Sequence, residues 1–325
     1  TQLPRAELRR VAPQRPTTIT IGVFDGVHRG HVALLRRVID RAAANGSAAG
    51  VVTFHPHPQH VLRPDVPLSY LTSLEDRLSL LTEAGLELVA PITFTSELSQ
   101  PDASDFVRLL VEELRLTELV TGPDFALGRQ RGGDIATLRA LGDELGFRVT
   151  VIDMVRDGGP GGGPNDGVDA DAKISSSDIR DGLAAADVAR VNDLLGRRFS
   201  LHGPIVRGQE RGRGIGFPTA NIAVGPDQAL PATGVYATLA SIDGRLRPSA
   251  TNIGVRPTFD DHPAVTVECH ILDYAADLYG RDLRIDFVSR LRGEVKFDGV
   301  EALTSQLARD CRDARAAIAA AGDWS

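Results

Sequence analysis

Two histidines, His28 and His31, close the run Ile21-Gly22-Val23-Phe24-Asp25-Gly26-Val27-His28-Arg29-Gly30-His31. The run follows a short β-branched stretch and opens one with helical spacing. Gly26 and Gly30 let backbone come close to a ligand. A helix start offers free N–H groups and positive potential, which suit phosphates. Two imidazoles at the same end can stabilise charge that develops on a phosphoryl group during in-line attack, and no covalent nucleophile is needed. The plain structural alternative makes His31 a helix cap and His28 a surface residue. A metal pair is the third reading, but no third ligand is spaced to complete it.

A second constellation lies in the other half. Arg207-Gly208 is followed by Arg211-Gly212-Arg213-Gly214-Ile215-Gly216-Phe217-Pro218-Thr219-Ala220-Asn221. Glycines such as Gly214 and Gly216 allow backbone to wrap an oligophosphate, and Arg207 and Arg211 add positive charge. Thr219 and Asn221 stand two apart, so an extended chain faces them the same way. Two neutral oxygens suit a Mg²⁺ that takes its other ligands from water and ATP phosphates. A glycine-rich hairpin with an incidental Thr and Asn is the alternative. In Val265-Thr266-Val267-Glu268-Cys269-His270-Ile271, period two puts Glu268 on the polar face. It is either a solvated carboxylate or, beside an ATP–Mg²⁺ site, a base for a hydroxyl acceptor.

The elements that must position these residues change character midway. Apolar runs at 19–24, 49–54, 88–94, 119–121 and 147–152 read as strands. They alternate with helical patterns at 31–44, 73–84, 102–114 and 134–145, which implies βαβ units and a parallel sheet. Residues 158–167 hold six glycines and two prolines, which reads as a mobile, dispensable loop. Two short helical segments reach to about residue 195. Beyond them, 199–206, 235–242, 249–255, 265–272 and 283–288 alternate apolar and polar, which argues an antiparallel barrel or sandwich. An Ala-rich helix follows from 300 to about 320. The layout predicts an α/β domain over 1–185 and a barrel domain with a C-terminal helix over 186–325.

The composition sets outer bounds. The 325 residues carry a formal charge of −7, so nothing general attracts nucleic acid or an anionic membrane. Two cysteines, Cys269 and Cys311, are too few for a disulfide scaffold or a four-thiolate zinc site, and suit a reducing cytoplasm. No apolar stretch approaches a membrane span, and residues 1–10 lack the apolar run of a signal peptide.

Three further segments sit at the ends of expected parallel strands, where open α/β sheets bind ligands. They are Thr53-Phe54-His55-Pro56-His57-Pro58, Gly122-Pro123-Asp124-Phe125-Ala126-Leu127-Gly128 and Lys173-Ile174-Ser175-Ser176-Ser177-Asp178-Ile179-Arg180. The serines and Arg180 suit a leaving pyrophosphate. His55 and His60 read as surface residues.

His-x-Gly-His at a first strand-to-helix turn resembles the nucleotidylyl-transferase superfamily. Gly216-Phe217-Pro218-Thr219-Ala220-Asn221, followed by 234–237, by 252–259 and by Leu291-Arg292-Gly293-Glu294-Val295-Lys296-Phe297, resembles riboflavin kinase. Together, from about residue 19 to 310, the chain is similar to the bifunctional prokaryotic riboflavin kinase/FMN adenylyltransferase (FAD synthetase) family. The resemblance implies a Rossmann-like domain with a parallel sheet and a six-stranded antiparallel barrel. It implies riboflavin, FMN and FAD as substrates and products, with ATP and Mg²⁺. His28 and His31 would stabilise the transition state on ATP, with Gly22, Phe24, Asp25, Gly26 and Gly30 around its phosphates. Ser175, Ser176, Ser177 and Arg180 match the family's Ser-Ser-Thr-x-x-Arg pattern, with Ser177 in the Thr position. His57, Asp124 and Phe125 would contact flavin, while Leu62 and Leu127 stand where rings are usual. In the barrel, Thr219 and Asn221 would hold Mg²⁺ and Glu268 would be the base. Arg292 and Glu294 would lie in the segment closing over flavin. Two readings remain beside this one: a kinase whose first domain has lost adenylyl transfer, and a flavin-binding or RNA-contacting regulator on the same folds. Oligomeric state stays open.

Overall fold

In the computed structural model, residues 2–153, 174–208, 213–256, 264–274 and 276–322 are described. The loop expected at 158–167, and also Lys173 and Arg211, lie outside them. The chain divides into two compact units, Thr1–Ser176 and Ser177–Ser325.

The first unit is built around a strand with no exposed face. β1 (Thr17–Gly22) is buried from Thr17 to Ile21. Parallel neighbours flank it on both sides, β2 (Ala48–His55) and β4 (Leu116–Thr121). With β3 (Leu88–Thr93) and β5 (Arg148–Val151) outside these, the order is β3-β2-β1-β4-β5. Parallel pairing needs crossovers, and α2 (Arg29–Asn45), α4 (Leu74–Glu83), α5 (Ala103–Leu114) and α6 (Ile135–Leu145) supply them. The order reverses between β1 and β4, so the crevice beyond their C-terminal ends is the natural ligand position. The stretches containing His28 and Asp124 both follow strands of that pair.

Two short elements lie outside the sequence-based expectation. α1 (Gln2–Val11) is polar and basic in outline, yet its Leu8 is fully buried in the core beside β3 and α5. Its arginines reach α5, where Arg5 and Arg9 pair with Glu112 and Glu113 at 2.7 Å. α3 (Pro58–Leu62) is a single turn capped by His57.

In the second unit, α7 (Ser176–Ala184) and α8 (Val188–Leu195) precede the strands. The barrel is assembled from β6 (Ser200–Val206), β7 (Ala220–Ile222), β8 (Gly234–Ile242), β9 (Arg245–Arg256), β10 (Ala264–Ile271) and β11 (Asp282–Arg292). It closes in the order β10-β7-β6-β11-β8-β9, with every pairing antiparallel. Closure settles the barrel-or-sandwich question, and β7 is the strand that alternation could not reveal: three residues are too few to show a period. β6 alternates buried and exposed as a strand with one wet face should. β8 is buried almost throughout because α9 (Val300–Ala321) covers its outer face with Ala314 and Ile318.

α9 is held by more than apolar contact. Asp310, 2% exposed, accepts from Arg292 Nε at 2.8 Å and Nη2 at 2.6 Å, and from Gln306 Nε2 at 2.8 Å. Removing one partner of a buried pair leaves the other charge stranded. Asp310→Ala should therefore cost about 3 kcal/mol, read as a drop in the urea midpoint, whereas truncating the exposed Arg315 should be nearly neutral.

Candidate active sites

The turn after β1 is conformationally unusual. Phe24 and Val27 have positive φ, 57° and 40°, and Gly26 lies at 81°. A positive φ at a β-branched valine is costly, so the surroundings must over-determine it. They do. The Val23 carbonyl accepts from Thr53 Oγ1 at 2.8 Å and from Arg77 Nη1 at 2.9 Å. The Asp25 carboxylate accepts from the backbone N–H of Leu71 at 3.0 and 3.1 Å and of Thr72 at 3.2 Å. A Cβ on Gly26 would lie 2.8 Å from Leu71 Cδ1, so a side chain is excluded by space as well as by φ.

This turn delivers the two imidazoles together. His28, 3% exposed, is the N-cap of α2, and the His31 N–H donates to its Nδ1 at 3.3 Å. An accepting Nδ1 leaves the ring proton of neutral His28 on Nε2, which makes that nitrogen the donor of the ring. The His28 and His31 rings stack at 3.6 Å with 17° between planes, and Phe24 packs on His31 at 5.0 Å. Gly30 is bare beneath His28, where a Cβ would sit 3.2 Å from its Nδ1. Gly22 stands likewise under Phe24, at 3.0 Å. The Asp25 carbonyl accepts from Ser176 Oγ at 2.9 Å, which ties the serine run to the same turn. Ser175 is half-buried, and Ser177 and Arg180 start α7 in the second unit.

Arg77 escaped the sequence reading. It is fully buried on α4, and its Nη2 donates toward His55 Nδ1 at 3.5 Å. Burial works against its charge, while Asp25 and Tyr70 favour it. The available signal was a charge in the apolar stripe, one turn before Leu81. His55 and His60 are not free surface residues either. His60 stacks on Tyr70 at 4.9 Å and its Nε2 meets the Leu68 carbonyl at 2.9 Å. Burial, with Arg77 second, holds the His55 imidazole below its ordinary range. His57 caps α3 through Nδ1, and its N–H donates to the Tyr70 hydroxyl at 2.7 Å. After β4, Asp124 is exposed and its carbonyl accepts from Arg131 at 2.8 Å. Phe125 and Leu127 are partly buried against the core, and Leu62 is 56% exposed.

In the barrel, strand register makes the site. Asn221 on β7 lies directly opposite Glu268 on β10. Opposed residues on antiparallel strands share a face, with Cβ atoms about 5 Å apart. Ala220, Ile222, Val267 and Cys269 point inward and are buried, so Asn221 and Glu268 point outward. Thr219 comes just before β7 and lines a cavity of about 470 Å³ with Pro218, Ile271, Tyr274, Leu278 and Tyr279. Gly208 is bare because Asn221 lies over it: a Cβ there would be 2.3 Å from Asn221 Nδ2. Arg207 stacks over the Tyr279 ring at 5.6 Å, while Gly214 and Gly216 are exposed, Gly216 at φ 86°. His270 Nδ1 meets the Pro218 carbonyl at 2.7 Å and braces the segment before β7. Burial pushes the Cys269 thiol up to about 11, which makes it a core residue and not a nucleophile. Arg292 is engaged by Asp310, and Glu294 Oε1 lies over Gly254.

The comparisons with known proteins follow the same division. A family model described as FAD synthetase matches residues 11–160, and one described as riboflavin kinase matches residues 195–318. A bifunctional riboflavin kinase/FMN adenylyltransferase of Pseudomonas fluorescens is 37% identical over 314 residues, covering 96% of each chain. The protein of that name in Listeria monocytogenes is 34% identical over 304 residues, covering 93% of this chain and 92% of its own. A solved Streptococcus pneumoniae chain, described as a macrolide-efflux protein, is 27% identical with a TM-score of 0.83 over 98% of this chain and 97% of that one. Efflux is said of that protein; here no helix among the described residues is long and apolar enough to cross a membrane. With both domain models matched in order and relatives aligned over nearly their whole length, this chain belongs to the bifunctional riboflavin kinase/FMN adenylyltransferase family.

Proposed function

We propose that the chain performs two transfers in series: phosphorylation of riboflavin to FMN in the barrel unit, then adenylylation of FMN to FAD in the parallel-sheet unit. The observation that carries this is that each matched region holds its own polar constellation, His28 with His31 in one and Asn221 with Glu268 in the other. We assign 1–185 to adenylyl transfer and 186–325 to the kinase. The substrates are small molecules, and a cytoplasmic setting is supported by two cysteines that are both free thiols.

In the kinase step, the ribityl 5′-hydroxyl attacks the γ-phosphorus of ATP and ADP leaves. Glu268 takes the hydroxyl proton as the new O–P bond forms. Among the described residues no cluster of three or more His, Cys, Asp or Glu could hold a metal. Thr219 and Asn221, both half-buried, offer two neutral oxygens that would suit a Mg²⁺ completing its shell with water and phosphate oxygen. Bound there, the ion would screen the phosphate charge. Arg207 adds a cation at the rim, and Gly214 and Gly216 leave room for phosphates. Arg292 shapes the flavin edge through its clamp on Asp310, with Glu294 beside it.

In the adenylyl step, an oxygen of the FMN phosphate attacks the α-phosphorus of ATP and pyrophosphate leaves. His28 Nε2–H and His31 donate to the oxygens that gain charge. Gly22, Phe24, Asp25, Gly26 and Gly30 shape the turn that receives the phosphates. Ser175, Ser176, Ser177 and Arg180 take the pyrophosphate side. His57, Asp124 and Phe125 contact the flavin.

Incubation with riboflavin, ATP and Mg²⁺, followed by chromatography, should show FMN and then FAD. FMN that accumulates without FAD, even when supplied directly, would overturn the adenylyl half. Glu268→Gln should lower FMN formation about 10³-fold and leave FMN-to-FAD conversion intact. His28→Ala should do the reverse, by at least about 10²-fold. Gly208→Ala should push Asn221 aside and raise the Mg²⁺ concentration for half-maximal kinase rate, with FAD formation from FMN unchanged.

A further inference from the structure

The row containing Asn221 and Glu268 continues past Glu268. β9 pairs with β10 on its other side, and the residue opposite Glu268 there is Asn252. The carboxylate is thus flanked by an amide on each side, Asn221 on β7 and Asn252 on β9. Burial agrees with this placement. Thr251 and Ile253 are inside the barrel at 0% and 1% exposure, and Asn252 is half-buried on the outer face.

A second observation points the same way. Gly254 is the next outward position on β9. A Cβ there would lie 2.9 Å from Asn252 Nδ2 and 3.1 Å from Glu294 Oε1. The backbone is bare where the Asn252 amide and a second carboxylate come together. Asn252 therefore has Glu268 as its cross-strand neighbour on β10 and Val235 on β8, and its amide meets Glu294 over Gly254. His270, two residues along β10 from Glu268, also lies on this face, and Arg292 on β11 is opposite Val235, the β8 neighbour of Asn252. An amide suits such a place, because it donates and accepts hydrogen bonds and carries no charge at any working pH.

We propose that Asn252 is a positioning residue of the kinase site, an uncharged cross-strand neighbour that holds the Glu268 carboxylate in line with Asn221. The inference rests on the reading of Glu268 as the base.

The test compares Asn252→Asp, Asn252→Ala and Glu268→Gln by kcat and KM for riboflavin phosphorylation. Asn252→Ala should lower kcat at least about tenfold while KM for ATP changes less than about twofold, the mark of misplaced chemistry and not lost binding. Aspartate is nearly isosteric with asparagine but its carboxylate only accepts hydrogen bonds, so Asn252→Asp should lower kcat by a similar factor. A packing role alone would spare the aspartate variant and would not give this split. If Asn252→Asp does not fold, the alanine variant decides: wild-type kcat would overturn the proposal. Wild-type kcat in a folded Asn252→Asp would overturn it too. Full activity in Glu268→Gln would instead sink the assignment of the base, whatever Asn252 does.

Discussion

A one-residue slip of β7 against β10 would turn Asn221 into the barrel and Ile222 out of it, because side chains alternate with a period of two. The proposed kinase site therefore depends on strand register more than on any single bond. Several features lock it. A Cβ at Gly203 would lie 2.1 Å from the Ala223 carbonyl, so β6 and the end of β7 approach as only glycine permits. Asn221 presses on Gly208 in the same way. Inside, Thr238 Oγ1 bonds Ser249 Oγ and Thr251 Oγ1 at 2.7 Å, which pins β8 to β9. Closure passes each of these constraints round the barrel, since no edge is left to slide.

The parallel-sheet unit meets a different demand. It must hold a strained turn still, so that two imidazoles stay stacked at a helix start. Arg77 and Thr53 both donate to the Val23 carbonyl, and the 71–72 backbone holds Asp25. A buried guanidinium is costly unless its donors are used. Here Nη1 is used on the Val23 carbonyl and Nη2 toward His55, and the side chain fixes the turn.

In both units glycines leave the backbone bare beside the candidate site residues. Gly26, Gly30, Gly208 and Gly254 differ in conformation, yet each leaves space that a neighbouring polar or apolar group occupies. In the first unit the neighbours are Leu71 and the His28 ring. In the barrel they are Asn221, Asn252 and Glu294. Small residues thus bear on the candidate sites through what lies over them.

Residue order alone was enough for the parallel sheet, the change to antiparallel strands, and the two motifs. Those signals are local: a hydrophobic period, a turn residue, a cap, a pair of histidines one helical turn apart. The cap of α2 is the buried His28, where the plain reading of the sequence put His31, and Asn221 faces Glu268 through a pairing that spacing along one strand does not contain. What stayed hidden were features created by chain segments far apart. β7 is a strand only because β6 and β10 pair with it. α1 holds because Leu8 finds a core supplied by β3 and α5. Arg77 gains its meaning from a carbonyl 54 residues away, and Asn252 from a glutamate on the next strand. Sequence determines which side chain each position offers and which face it shares with near neighbours. Tertiary structure decides which distant groups meet there, because cross-strand pairing and burial depend on the whole chain.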